Sequence, residues 1–199
     1  VITDGGKFKW DTEKYPGMKD FKKFGPFAYT AKLRNGLFRN TGACLSPQNA
    51  FYNSIGMETL GLRMERVCDN AKTLAQFFAT EYSDIEVNYP GLAGSKWHDI
   101  ATEQFGDKFG GIITIRTGNK KRAFGIIDAL KLPLIVSNIG DTKTLVIHPE
   151  STLNVHSTQE EKETAGVFDD LIRISVGIED IDDLIDDFKQ AIESVKDVY

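Results

Sequence analysis

The chain has 199 residues, of which 41% are hydrophobic, 27% charged and 11% aromatic, with a formal net charge of −5. This is the composition of an ordinary globular protein, long enough for one large domain or for a small domain plus part of another. Mild acidity argues against a nucleic-acid surface, no apolar run approaches the ~20 residues of a transmembrane helix, and Cys44 and Cys68 lack the spacing and histidine neighbours of a zinc site.

Two free thiols fit a reducing cytosol, and no signal peptide is visible. The chain opens on Val1 rather than Met, which suggests truncation or processing. Residues 1–45 begin with a short strand, Val1-Ile2-Thr3-Asp4-Gly5. They continue as a loop rich in Gly, Lys and aromatic residues, punctuated by Pro16-Gly17 and Gly25-Pro26. Phe27–Arg39 reads as a helix with Phe27, Ala31 and Phe38 as apolar positions. So aromatic a stretch, with Trp10, Tyr15, Phe21 and Phe24, either lines a partner surface or buries its rings locally.

Ser46 reads as an N-cap and Pro47 as the first helical residue. One long helix is expected from there. Met57, Leu60, Met64, Val67, Ala71, Leu74 and Phe78 follow one another at steps of three and four, a continuous apolar stripe destined for core packing. After Tyr89-Pro90-Gly91, strands are expected at Ile112–Arg116, Leu134–Val136, Thr144–Ile147 and Leu171–Ile178. Lys120–Leu130 reads as a helix with Phe124, Ile127 and Leu130 on one face. The last helix, Asp180–Val195, carries Ile181, Leu184, Ile185, Phe188, Ile192 and Val195 on its apolar side. Its other side holds Asp182, Asp183, Asp186 and Asp187, read as a solvated face rather than a metal cluster. Short strands interspersed with helices indicate an α+β domain with helices on one face of a sheet.

Two segments carry chemistry. Ser137–His148 ends a strand in a hydroxyl and a glycine turn, and Leu171–Asp180 sets Arg173 inside an apolar run. Arg173 alternates with Ile172 and Ile174, so it points to the opposite face of its strand. A guanidinium is a planar fork of donors that fits a carboxylate, and a Ser hydroxyl or free backbone N–H can complete the grip. Spacing alone leaves a solvated arginine and a ligand-binding one both open. In His148-Pro149 the proline ends a strand and the histidine caps or packs. Gly5-Gly6-Lys7 lacks the spacing of a phosphate-binding loop. No nucleophile–base constellation is complete, so no catalytic residue and no metal ligand is assigned in this chain.

Four motifs, in this order, resemble one family. They are Ser46-Pro47-x-Asn49-Ala50-Phe51, then Gly56-Met57-Glu58-Thr59-Leu60-x-Leu62-Arg63, then Ser137-x-x-Gly140-x-x-x-Thr144-Leu145-x-x-His148-Pro149-x-Ser151, and Ile172-Arg173-x-Ser175-Val176-Gly177-x-Glu179-Asp180. Together they resemble the pyridoxal-phosphate (PLP) enzymes of cysteine and methionine metabolism, and among these the O-acetylhomoserine sulfhydrylases. The resemblance implies an α/β fold of the aspartate-aminotransferase-like fold type I. Residues 1–65 would be the end of the large PLP-binding domain and the start of a linking helix, and residues 66–199 the C-terminal α+β small domain. It implies that Arg173 binds the α-carboxylate of the substrate, with Ser137 and the backbone at Asn138 around the same group. Asn138 replaces the apolar residue of many relatives, which fits the sulfhydrylase branch. Thr152-Leu153-Asn154 departs from the Thr-Thr-His or Met-Thr-His often found there.

The implied activity is a γ-replacement in methionine biosynthesis that makes homocysteine from O-acetylhomoserine and sulfide, in a cytoplasmic homo-oligomer, a tetramer. Alternatives are a cystathionine γ-synthase, a methionine γ-lyase, or a non-catalytic amino-acid-binding module. In the family the Schiff-base lysine lies in a Ser-x-Thr-Lys motif just before the strand that Val1–Gly5 resembles. The chain is therefore expected to be a C-terminal half, inactive alone, whose partner is the missing N-terminal half with most of the PLP ligands.

Overall fold

The structure, a computed structural model, describes residues 5–196. The strand expected at Val1–Gly5 falls almost wholly outside them. Contacts divide the chain into two compact units, Val1–Ile55 and Gly56–Tyr199.

The first unit is helical and irregular. Pro16–Phe27 forms 3₁₀ turns broken at Gly25 (φ +54), where a loop was expected. Ala28–Leu33 (α1), a π turn at Arg34–Phe38 and Arg39–Thr41 (α2) together supply the helix expected over Phe27–Arg39. Asn35 donates its side-chain amide to Ala31 O at 2.9 Å next to the π turn, and Gly42 in the left-handed region (φ +61) ends the run. Part of the aromatic content packs locally and is half-buried. Trp10 stacks on Tyr29 at 5.1 Å and meets Tyr15 edge-on at 5.5 Å, while Phe24 and Phe27 stay exposed. Pro47–Glu58 (α3) starts as expected, with Asn49 N donating to Ser46 Oγ at 3.2 Å.

The second unit opens with Leu60–Glu81 (α4). The single long helix expected from Pro47 to Phe78 is corrected here: it breaks at Thr59 (φ −105, ψ 6). Gly56 and Gly61 flank a β-branched residue, all poor helix formers. The Arg63 side chain meets the freed groups, donating to Gly56 O at 2.5 Å and Thr59 Oγ1 at 3.3 Å. The stripe divides with it. Met57, Leu60 and Met64 are exposed, whereas Val67, Ala71, Leu74 and Phe78 are buried.

The sheet of this unit has five strands in the order β1-β2-β5-β4-β3. They are Glu86–Asn88 (β1), Ile112–Arg116 (β2), Leu134–Ile135 (β3), Leu145–Ile147 (β4) and Leu171–Ser175 (β5). Only β3 and β4 pair in parallel. His98–Phe105 (α5), Lys120–Ala129 (α6), Gln159–Thr164 (α7) and Ile181–Ser194 (α8) complete it. The core lies between one face of the sheet and α4, α6 and α8. Ile113, Ile115, Val146, Ile172 and Ile174 meet Leu74, Phe78, Ile126, Leu184, Phe188 and Ile192 there, all fully buried. Helices on one face are thus as expected.

Two details differ from expectation. In α6 the buried apolar positions are Ala123, Ile126 and Ile127, and Phe124 lies at the border against the His148 ring, 4.6 Å away. In α8 Asp187 is not on the solvated face. It is buried, and its Oδ2 accepts from the backbone N–H groups of Lys131 and Leu132, both at 2.9 Å. The turn after α6 thus has two backbone donors that the Asp187 carboxylate satisfies.

Candidate functional site: a carboxylate cleft on the open face of the sheet

The face of the sheet away from the helices carries the polar residues. Arg173 sits at the centre of β5, opposite Thr114 on β2 and Ile147 on β4. Alternation sends Ile172 and Ile174 into the core and Arg173 to the other side, as its spacing predicts. There it lines a cleft of roughly 540 Å³ with Ser137, Asn138, Ile139, Gly140, Asp141 and Leu153. The site residues read from the sequence, Arg173, Ser137 and Asn138, are therefore neighbours in space.

The contacts are made by backbone. Arg173 Nη2 donates to Ser137 O at 2.7 Å and to Asn138 O at 3.4 Å. The Ser137 hydroxyl does not touch the guanidinium. Nε and Nη1 of Arg173 have no hydrogen-bond partner among the described residues, so much of the fork stays available. Burial lowers the pKa of Arg173 below its usual value. An arginine stays charged even so, and partial desolvation strengthens its attraction for an anion.

The loop that supplies these carbonyls is tied down on its far side. Gly140 N, at a glycine with φ +75, donates to Ser175 Oγ at 3.0 Å. Ile178 N donates to Thr142 O at 2.9 Å. Glu179 accepts from Thr144 N at 2.6 Å and from its hydroxyl at 2.9 Å. Asn70 of α4 donates to Gly177 O and Glu179 O and fixes that turn in place. Sequence reasoning missed Ser175 as part of the site. The available signal was its position two residues beyond Arg173, hence on the same face.

His148 is a structural residue. It is buried, its Nε2 donates to Asp169 O at 2.8 Å, and its Nδ1 accepts from Ser151 N and Oγ at 3.3 and 2.9 Å. With both ring nitrogens committed, it packs and caps, as its setting before Pro149 suggests. Beside it, Glu150 takes Lys120 at 2.8 Å and Lys162 at 2.5 Å, and these ammonium groups hold its carboxyl down at about 2. Among the described residues no group of three or more His, Cys, Asp and Glu side chains is placed to hold a metal, and no helix is long and apolar enough to cross a membrane.

The cleft fits a carboxylate. It does not by itself fit pyridoxal phosphate: its lining holds no lysine to condense with an aldehyde and no second cation to meet a phosphate.

The chain is 36% identical to the Sulfhydrylase FUB7 of Fusarium oxysporum, over 97% of its own length and 48% of the relative's. It is 38% identical to the O-acetyl-L-homoserine sulfhydrylase of Corynebacterium glutamicum, over 98% of its length and 48% of the relative's. It thus spans about half the length of these curated relatives. Among solved structures it superposes with a TM-score of 0.77 and 38% identity on a Campylobacter jejuni protein described as an O-acetylhomoserine (thiol)-lyase. That match covers 83% of this chain and 39% of the other, which carries N'-pyridoxyl-lysine-5'-monophosphate. Residues 7–193 match the family described as Cys/Met metabolism PLP-dependent enzyme, and the chain belongs to that family.

Proposed function

We propose that this chain supplies the substrate-carboxylate grip of a PLP-dependent O-acetylhomoserine sulfhydrylase, which makes homocysteine from O-acetylhomoserine and sulfide. The observation that carries the reading is Arg173. It stands on the open face, anchored through Nη2 to two backbone carbonyls, with Nε and Nη1 left for a ligand. The family's cofactor supplies the electron sink. The work of this chain is positioning: Arg173 holds the carboxylate of the amino acid and so fixes the direction of the bonds that react. Ser137 and the backbone at Asn138 shape the rim of the same cleft. The sulfhydrylase names of the relatives favour this reading over a cystathionine γ-synthase or a methionine γ-lyase. In it, residues 1–65 complete the PLP-binding domain and begin a linking helix, residues 66–199 form the small domain, and the whole works as a cytoplasmic homo-oligomer, a tetramer.

Arg173→Lys in the protein at its full natural length tests it. Lysine is a point charge that cannot hold two carbonyls and meet a ligand oxygen with donors fixed in one plane, as the guanidinium does. A charge-assisted bond contributes about 1.5–3 kcal/mol, so kcat/KM for O-acetylhomoserine should fall by about one to two decades while PLP content stays normal. A wild-type kcat/KM would remove Arg173 from the site.

A further inference from the structure

We infer that Ser175 is a positioning residue for the carboxylate grip: its hydroxyl sets the 137–140 loop, and the loop sets Arg173. The inference rests on the proposed role of Arg173. The hydrogen bonds tying residues 137–140 to the sheet come from Arg173, through Ser137 O and Asn138 O, and from Ser175, through Gly140 N. Both side chains belong to β5, two residues apart on its open face, so one strand holds the loop at two points and the guanidinium is one of them. Without the second point, the carbonyls that orient Nη2 shift with the loop.

Ser175 is built for this task. It is 2% exposed, pinned between Ile112 and Leu145 in the sheet, and its oxygen faces the backbone of a glycine at φ +75. Beyond it, residues 142–144 have ties of their own to Ile178 and Glu179. Loss of the Ser175 bond therefore frees residues 137–140 and leaves the rest of the turn in place.

Arg173 itself stays to orient the amino acid, so a grip loosened only at the loop chiefly weakens binding and appears in KM. In the full-length PLP-loaded enzyme, Ser175→Ala should raise KM for O-acetylhomoserine about five-fold, the size of one net hydrogen bond. KM for sulfide and kcat should stay within about two-fold. Ser175→Thr keeps the oxygen, and its extra methyl has room in the apolar cavity of roughly 200 Å³ that Ser175 lines with Met64, Val67, Ile112 and Val176. It should restore KM.

If Ser175→Ala is not recovered folded, Ser175→Cys makes the same reading. It keeps a small side chain but offers only a weak acceptor, and KM should rise by a smaller factor. The inference is overturned if Ser175→Ala leaves KM for O-acetylhomoserine at wild type while Arg173→Lys is impaired. It is overturned equally if Ser175→Thr is as impaired as Ser175→Ala, or if kcat and both KM values move together, the mark of a merely structural residue. A wild-type Arg173→Lys overturns the reading of the site and this inference with it.

Discussion

The two faces of the sheet in the second unit are made from the same strands by opposite rules. On the helix side, Ile113, Ile115, Val146, Ile172 and Ile174 have no exposed surface. They are held by area, through many small contacts in several directions. On the other side, Thr114, Arg116, Arg173 and Ser175 are held by direction. Arg116 shows the style well: its Nε donates to Asp170 Oδ1 at 2.9 Å, its guanidinium lies 4.0 Å from the Phe168 ring centre, and Nη1 reaches toward Glu86 at 3.6 Å. Area is forgiving of detail and sets whether the unit folds. Direction is unforgiving, contributes little to stability, and sets what the surface can bind.

Substitutions can break or sharpen that contrast. The largest expected effect is on the helix side. Phe188 is fully buried and meets Phe78 edge-on at 5.2 Å. Phe188→Ala should cost about 3–5 kcal/mol in urea denaturation, from lost transfer energy and a residual cavity. A loss under about 1 kcal/mol would mean that the core is not organised as described.

A smaller effect belongs to Glu150 and its two lysine partners. Glu150 has a folded pKa of about 2 against an ordinary 4.5, so its ion pairs add stability above the ordinary value. That stability fades as pH falls through the interval between the two. Surface ion pairs amount to at most about 1 kcal/mol. Denaturation midpoints measured across this range should therefore separate Glu150→Gln from wild type at neutral pH and converge near pH 2. Parallel curves would show that the pairs with Lys120 and Lys162 carry no net stability.

The smallest stability effect is expected at Arg173, the residue proposed to hold the ligand. Arg173 gives up only bonds to two exposed carbonyls, which water can replace. Arg173→Ala should change unfolding free energy by no more than about 0.5 kcal/mol. A loss of several kcal/mol would place Arg173 among the structural residues and erase the contrast between the faces.

The strands and helices whose period is long were legible in the residues. Ile112–Arg116 was read with its bounds, and α6 and α8 to within a residue or so. Leu184, Phe188 and Ile192 are buried as their spacing demands. α5 and β1 were not. α5 has Trp97 in the N-cap position with no side-chain bond, and β1 is three residues long. α7 could have been read, because Thr158 and Glu161 form a capping box. The break at Thr59 was masked by apolar spacing that runs unbroken through it, and periodicity carries no information about where a helix snaps. Asp187 looked solvated because its partners are backbone N–H groups, which no side-chain pattern reveals. The site divides in the same way. The facing of Arg173 was legible by alternation and its proposed role only from the family motif, while the carbonyl contacts of Ser137 and Asn138 depend on the path of a loop.

β5 comes last of the five strands along the chain, yet lies third across the sheet. Ile113 and Val146 both take Ile174 as neighbour, from far apart in sequence. During synthesis β2 and β4 emerge with nothing between them, and their facing edges stay open until residues 171–175 leave the ribosome. Folding of this unit thus depends on long-range contacts made by its last strand, and such pairing is intrinsically slow. The same insertion delivers Arg173 between its flanks, so the binding face comes into being only when the sheet is whole.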